Sequence, residues 1–230
     1  MSPDALLGVS DRHLTTWTDH RFGQGVPWRL HRDMISDWQA MLDAADADGI
    51  SILPISAYRD FSRQALIFNE KAEGRRSVHD DQGQRLQREA FSDEEWLHRI
   101  LRFSALPGLS RHHWGTDLDV FDAKAVHQGH RPKLEPDEFS GDGPCVALNA
   151  WLEENAGRFG FFRPYRLDLG GVAPEPWHLS YAPISCHAVN DIPADVLAAL
   201  LTDNNVAFCS IILPQLPTLI ERYAQRISPP

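Results

Sequence analysis

Three cysteines in 230 residues, Cys145, Cys186 and Cys209, are too few, too scattered and odd in number for a disulfide framework. They form no C-x-x-C pair and have no Cys–His–acid arrangement around them, so they are expected as small buried hydrophobes. Basic clusters are equally scarce: RR at 75–76 is too short to offset a formal net charge of −10, which excludes nucleic acid as an expected partner. No apolar run approaches the roughly 18 residues that a membrane span needs. The opening MSPDALLGVSDRHLTTW carries acidic residues and no sustained apolar stretch, unlike a secretory signal. On that reading the chain is cytoplasmic, or extracytoplasmic if a signal has been removed or release is leaderless. Repeats and low-complexity tracts are absent, and no G-x-S-x-G elbow offers a serine nucleophile.

What is present is core-forming material: 43% hydrophobic residues with seven Trp and eleven Phe are enough for one packed domain spanning 1–230. Residues 1–30 mix polar and aromatic side chains and read as an N-terminal arm. Met34, Trp38, Met41, Leu42 and Ala45 recur at helical spacing. SILPIS at 51–56 reads as a short buried strand in which Pro54 signals an edge or a bulge. FSRQALIFNEKAEG predicts a helix ending near Gly74, and 75–91 a charged surface excursion. Ser92 with Glu95 forms a capping box before a helix carrying Trp96, Ile100 and Leu101. DLDVFD at 117–122 alternates, so a strand there turns Asp117 and Asp119 away from Leu118 and Val120. Residues 122–143 read as a loop or insertion, 146–156 as a helix, and GFF at 160–162 as the start of a strand. Further helical stretches fall around 193–200 and 212–225. Strands mixed irregularly with helices predict an α+β fold.

The chemistry concentrates in SRHHWGTDLD at 110–119. His112 with Asp119 is one possible metal pair and His113 with Asp117 a competing one, and either alone is a common turn pattern. EPWH at 175–178 adds His178 as a third donor and Glu175 as a carboxylate beside it. Three nitrogen and oxygen donors with room for water suit a hydrolytic zinc, and Glu175 could take a proton from a water whose pKa the metal lowers. His127 and His130 in the insertion lack a partner for a second metal and are expected to be solvated.

These motifs, with SAYRDFSRQA upstream and WLEENAGRFGFF between them, resemble the zinc D-Ala-D-Ala carboxypeptidases of the VanY type, peptidase family M15, over about residues 50–181. The resemblance implies a small antiparallel sheet flanked by helices, of the hedgehog-like type. It also implies one zinc held by His112, Asp119 and His178, Glu175 as general base and then acid, and Arg59 as the anion-stabilising group. Ser110, Tyr58, Gln64, Trp177 and Tyr181 are the candidate substrate-binding residues. Ser110 could instead cap its turn, Trp177 could wall the site, and the two tyrosines could pack in the core. The implied partners are peptidoglycan stem peptides or muropeptides. D,D-carboxypeptidase, L,D-carboxypeptidase and endopeptidase activities stay open, as does a non-catalytic wall-peptide-binding module, although a pure binder has no chemical need for Glu175. His113 is expected to face solvent. Asp117 departs from the family, which usually has alanine there: it could accept from a histidine N–H, pair with Arg111, or weaken the preference for a free carboxylate.

Overall fold

The computed structural model describes residues 1–21 and 25–230. A single helical turn, α1 (Pro3–Leu6), starts at Ser2, whose side chain accepts from the Ala5 N–H. An antiparallel hairpin follows, β1 (Leu14–Asp19) against β2 (Val26–His31). The expected arm over 1–30 is thus a helical turn and a hairpin. Its strand pattern is weak because Thr15 and Thr16 lie exposed between buried Leu14 and Trp17.

Helix α2 (Ile35–Ala47) buries Trp38, Met41, Leu42 and Ala45 on one face, as their spacing predicts. Strand β3 (Ile52–Ser56) lies at the edge of a four-stranded sheet, and its register shifts between Pro54 and Ser56. An edge tolerates the missing proline N–H. Helix α3 (Phe61–Ala72) is capped by Asp60, and α4 (Asp93–Leu101) by the Ser92–Glu95 capping box. Strand β4 (Asp117–Asp122) leads into α5 (Ala123–His127); α6 (Val146–Asn155), β5 (Phe161–Phe162) and β6 (His178–Tyr181) follow. The order β3-β4-β6-β5 is antiparallel throughout. Helices α7 (Ala182–Ala188), α8 (Ala194–Asp203), α9 (Cys209–Ile212) and α10 (Leu216–Ile220) complete an α+β arrangement of small antiparallel sheets flanked by helices.

Two large apolar cores result, with a smaller cluster of Leu6, Trp114, Ala188 and Val189 beside them. One gathers α2, the sheet and α6 around Trp38, Leu118 and Leu148; the other gathers α3, α4, α8 and α10 around Phe68, Ile100 and Leu201. Every residue of β4 is buried, so its three carboxylates must find partners inside the protein: Asp122 caps α5, and Asp117 and Asp119 turn to the groups described below. That requirement builds the site.

Three local expectations change. The 122–143 segment is not plain loop: it contains α5 and a 3-10 turn at Pro136–Phe139 that buries Phe139. His130 is not solvated; it stacks on Phe121 at 5.4 Å, and its Nε2 lies 2.7 Å from Glu138 Oε1. Of the cysteines only Cys145 is buried, while Cys186 and Cys209 are partly covered.

Candidate metal centre

The β4–β6 ladder places Asp119 opposite His178 and Asp117 opposite Ser180. His112 comes from the 3-10 turn Arg111–Trp114, which ends at Gly115 in the left-handed region (φ 67°). A side chain there would be strained, and a Cβ would sit 2.3 Å from Leu14 Cδ2 and 3.0 Å from the His31 nitrogen. Glycine lets the turn press against the hairpin, where the His31 N–H donates to the Gly115 carbonyl at 2.8 Å.

One ligand atom each from His112, Asp119 and His178 lies within 4.8 Å of the others, and all three residues are buried. Their tautomers follow from their second nitrogens. His112 Nδ1 is 2.8 Å from the Ala57 carbonyl, which can only accept, so the Nδ1–H donates and Nε2 keeps its lone pair, 3.4 Å from Asp119 Oδ2. His178 Nε2 is 3.0 Å from Asp117 Oδ1 and donates to it. Nδ1, 3.3 Å from Asp119 Oδ1 and 3.3 Å from Glu175 Oε2, is the nitrogen left to face a cation; without one, burial disfavours the imidazolium but the carboxylates of Asp117, Asp119 and Glu175 raise the His178 pKa well above its ordinary value. The His178–Asp119 contact lacks hydrogen-bond alignment, which leaves buried Asp119 Oδ1 without a donor. Two inward-facing ring nitrogens and an orphaned carboxylate oxygen fit a cation, which would take the place of the His178 proton, and this N,N,O set matches a catalytic zinc.

Asp117 takes two of the three roles expected of it, accepting from His178 and pairing with Arg111. Arg111 Nε donates to its Oδ1 at 2.8 Å, and Thr116 Oγ1 to its Oδ2 at 2.7 Å, beside the bond from His178. Burial opposes ionisation, but Arg111 and His178 hold this carboxyl well below the usual range. Arg111 is itself buried, with Nη2 donating to Ser180 Oγ at 2.6 Å and its guanidinium 4.8 Å from the Trp114 ring centre. Glu175 has its pKa raised, burial outweighing the bond to His178.

A cavity of about 620 Å³ opens beside these groups. Arg59, Ser110, Trp177, Glu175 and all three metal-site residues line it. Arg59 donates to Gln64 Oε1 at 2.8 Å and Ser56 Oγ at 3.4 Å, both neutral. Gln64 itself is fully buried and fixed to the Ala105 carbonyl, so it reaches the cavity only through Arg59. Ser110 makes no side-chain cap and faces the cavity. Trp177 belongs both to the cavity wall and to the sheet core. Tyr58 and Tyr181 are not among the lining residues: Tyr58 packs edge-on to His13, and Tyr181 hydrogen-bonds Asp37. His113 does not face solvent either. It is fully buried, with Nε2 accepting from the Gly108 N–H at 3.1 Å and Nδ1 donating to the Arg59 carbonyl at 2.6 Å.

Sequence reasoning passed over Tyr165, whose ring stands edge-on to His178 at 5.0 Å. It also passed over Lys71 and the 77–83 loop, which contributes His79, Asp80 and Asp81 to the cavity wall. Arg102 ties that loop down by gripping Asp81 at 3.0 Å and Asp168 at 2.6 Å. Nothing near 77–83 in the sequence signals an inward role.

A buried His–Asp–His donor set beside a glutamate, open to a cavity, defines a mononuclear metallohydrolase centre. Residues 27–184 match the VanY family, described as D-alanyl-D-alanine carboxypeptidase. A Haemophilus influenzae protein of uncharacterised function is 31% identical over 116 residues, covering 50% of this chain and 88% of its own length. A D-alanyl-D-alanine carboxypeptidase of Enterococcus faecalis is 30% identical over 149 residues, 64% of this chain but only 46% of the relative. Among solved structures, VanYB in complex with D-alanine-D-alanine superposes with a TM-score of 0.51 at 23% identity, covering 75% of this chain and 80% of that one. The chain belongs to the VanY family, and it is a metallopeptidase of the D-alanyl-D-alanine carboxypeptidase type.

Proposed function

We propose that this protein is a zinc-dependent carboxypeptidase that removes the C-terminal D-alanine from peptidoglycan stem peptides or their precursors, with the D,D linkage preferred. The observation that carries the reading is the convergence of His112, Asp119, His178 and Glu175 on one cavity that also receives Arg59. His112 Nε2, an Asp119 oxygen and His178 Nδ1 would hold the zinc. When bound, zinc lowers the pKa of a water and polarises the scissile carbonyl.

Glu175 is placed to take the proton from the attacking water. Its Oε2 is 3.3 Å from a ligand nitrogen, and burial makes it a stronger base than an exposed glutamate. The same carboxyl then hands the proton to the leaving amine. Arg59 supplies charge to the carbonyl oxygen as it becomes negative, and Gln64 and Ser56 hold the guanidinium in position. Gln64 is therefore a positioning residue. Ser110 offers a hydroxyl to the substrate, and Trp177 supplies an apolar wall. We assign Tyr58 and Tyr181 to packing.

Mass spectrometry of zinc-loaded protein with tetrapeptide and pentapeptide stems, each free or amidated at the C-terminus, tests the reading. Loss of one alanine from the free pentapeptide is expected. Loss from the tetrapeptide would make the enzyme an L,D-carboxypeptidase, and cleavage inside an amidated stem an endopeptidase. A folded, zinc-loaded protein that cuts none of them would overturn the peptidoglycan assignment.

A further inference from the structure

Among the described residues, three that are not glycine take up the left-handed backbone region: Leu134 (φ 60°), Asn205 and Phe208. Of these only Leu134 lines the catalytic cavity, in a wall formed by Lys133, Leu134, Glu135 and Pro136. A leucine in that region strains against its own Cβ, where a glycine would not. The turn therefore needs a restraint, and leucine in place of glycine points to a use for the side chain.

Glu138 is the restraint. Its buried carboxylate accepts the Lys133 N–H at 3.2 Å and the Glu135 N–H at 3.0 Å, and the Leu134 N–H bonds to it as well. Successive amides around a left-handed residue make a concave nest for an anion, and here the chain fills the nest with a carboxylate of its own. His130 Nε2 donates to the same carboxylate at 2.7 Å while its ring lies on Phe121. Burial opposes the charge, yet these bonds keep the Glu138 pKa below its ordinary value. The next residue, Phe139, packs on Phe121 and stands 5.9 Å from Trp177, the ring between Glu175 and His178. The wall is thus fixed to the sheet that carries the metal-site residues.

Leu134 is only partly buried against the sheet core, which leaves side chain for the cavity. Its neighbours Lys133 and Glu135 are exposed and lie 3.8 Å apart. The backbone amides of the wall bond to Glu138 and not to the metal-site residues, so the wall borders the reacting groups without joining them. A cavity of about 620 Å³ is of the size that encloses a drug-sized ligand, more than a terminal pair of alanines would fill. We propose that Leu134 is a specificity-determining residue, making an apolar contact with methyl and methylene groups of the stem residues that precede the terminal dipeptide, and that Glu138 is the positioning residue that presents it. The proposal deepens the carboxypeptidase reading and rests on it.

The test compares zinc-loaded wild type, Leu134→Asn, Glu138→Gln and the double variant on the free pentapeptide stem and on N-acetyl-D-alanyl-D-alanine. Asparagine tolerates the left-handed backbone and is close to leucine in size, so Leu134→Asn removes the apolar contact and keeps the turn. It should raise KM for the pentapeptide about 5- to 30-fold more than KM for the short substrate, with kcat on the pentapeptide little changed. Glu138→Gln should shift the same KM ratio in the same direction. Adding Leu134→Asn to it should cost less than in wild type, because both substitutions act on one contact. An unchanged KM ratio in Leu134→Asn would overturn the contact, and full additivity in the double variant would overturn the positioning role. Calorimetric binding of the pentapeptide to zinc-loaded Glu175→Gln protein, with and without Leu134→Asn, separates this failure from that of the parent reading. If wild type cleaves no stem peptide but Leu134→Asn weakens binding, the contact stands and the reaction assignment falls. If the pentapeptide is cleaved and its binding is indifferent to Leu134, the contact falls and the carboxypeptidase reading stands. A pentapeptide that is neither cleaved nor bound would overturn both.

Discussion

Replacing Asp117 by alanine should cost this protein both metal affinity and stability. His178 Nε2 would lose its acceptor at 3.0 Å, and Arg111 Nε its carboxylate at 2.8 Å, in a setting where neither residue reaches solvent. Loss of a carboxylate behind a ligating histidine weakens metal binding by about 10- to 100-fold, or roughly 1.4–2.7 kcal/mol. Leaving Arg111 buried and unpaired costs more, about 3–5 kcal/mol of folding free energy. Adding Arg111→Met separates the two effects. With both buried charges gone, stability should recover most of the loss, whereas zinc affinity should stay low because His178 still lacks its acceptor. Zinc affinity is read by competition with a chromophoric chelator, and stability by urea unfolding of the metal-free proteins. A double variant that binds zinc as tightly as wild type would show that Asp117 serves only to neutralise Arg111.

Glu175→Gln should retain zinc and the fold but lose about 10²- to 10⁴-fold in kcat; near-normal kcat at saturating stem peptide would remove Glu175 from the proton transfers. Gly115→Ala should destabilise by about 2 kcal/mol or more, since φ 67° and the approach of Leu14 both oppose a side chain; a loss under about 1 kcal/mol by urea unfolding would contradict that reading. His13, held down to about 4 by burial and by neighbouring His31, stays neutral in the folded protein while its ordinary value is 6.5. The unfolded chain therefore binds a proton that the folded one refuses, and stability falls as pH drops from about 6.5 to about 4. His13→Gln should flatten that slope by up to about one proton in the metal-free protein, and an unchanged slope would refute the assignment.

Local patterns carried much of the architecture. The capping box at Ser92, the proline-marked edge strand and the alternation in DLDVFD each depend on residues within a few positions of one another, and each appears where its pattern predicts. Side-chain chemistry and spacing narrowed the metal donors to two competing pairs, and the resemblance to the VanY type chose His112 and Asp119 over His113 and Asp117. What escaped depends on partners far along the chain. His113 is buried by Gly108 and by the Arg59 backbone, and Gly8 packs so closely on it that a Cβ there would lie 2.4 Å from its Nδ1. The 77–83 loop turns inward because Arg102 and Asp168 hold it there, and Asp168 lies 87 positions beyond Asp81.

The β4–β6 register has a kinetic consequence. Asp119 and His178 face each other across a backbone ladder, and His112 is aimed by a carbonyl just beyond β3, so three strands must be aligned before three donors converge. A slip of one residue between β4 and β6 would turn His178 to the opposite face. Capture of the ion should therefore come after the strands have zipped, slowing unfolding more than it speeds folding. Time-resolved metal uptake during refolding would then serve as a clock for the closure of the central sheet.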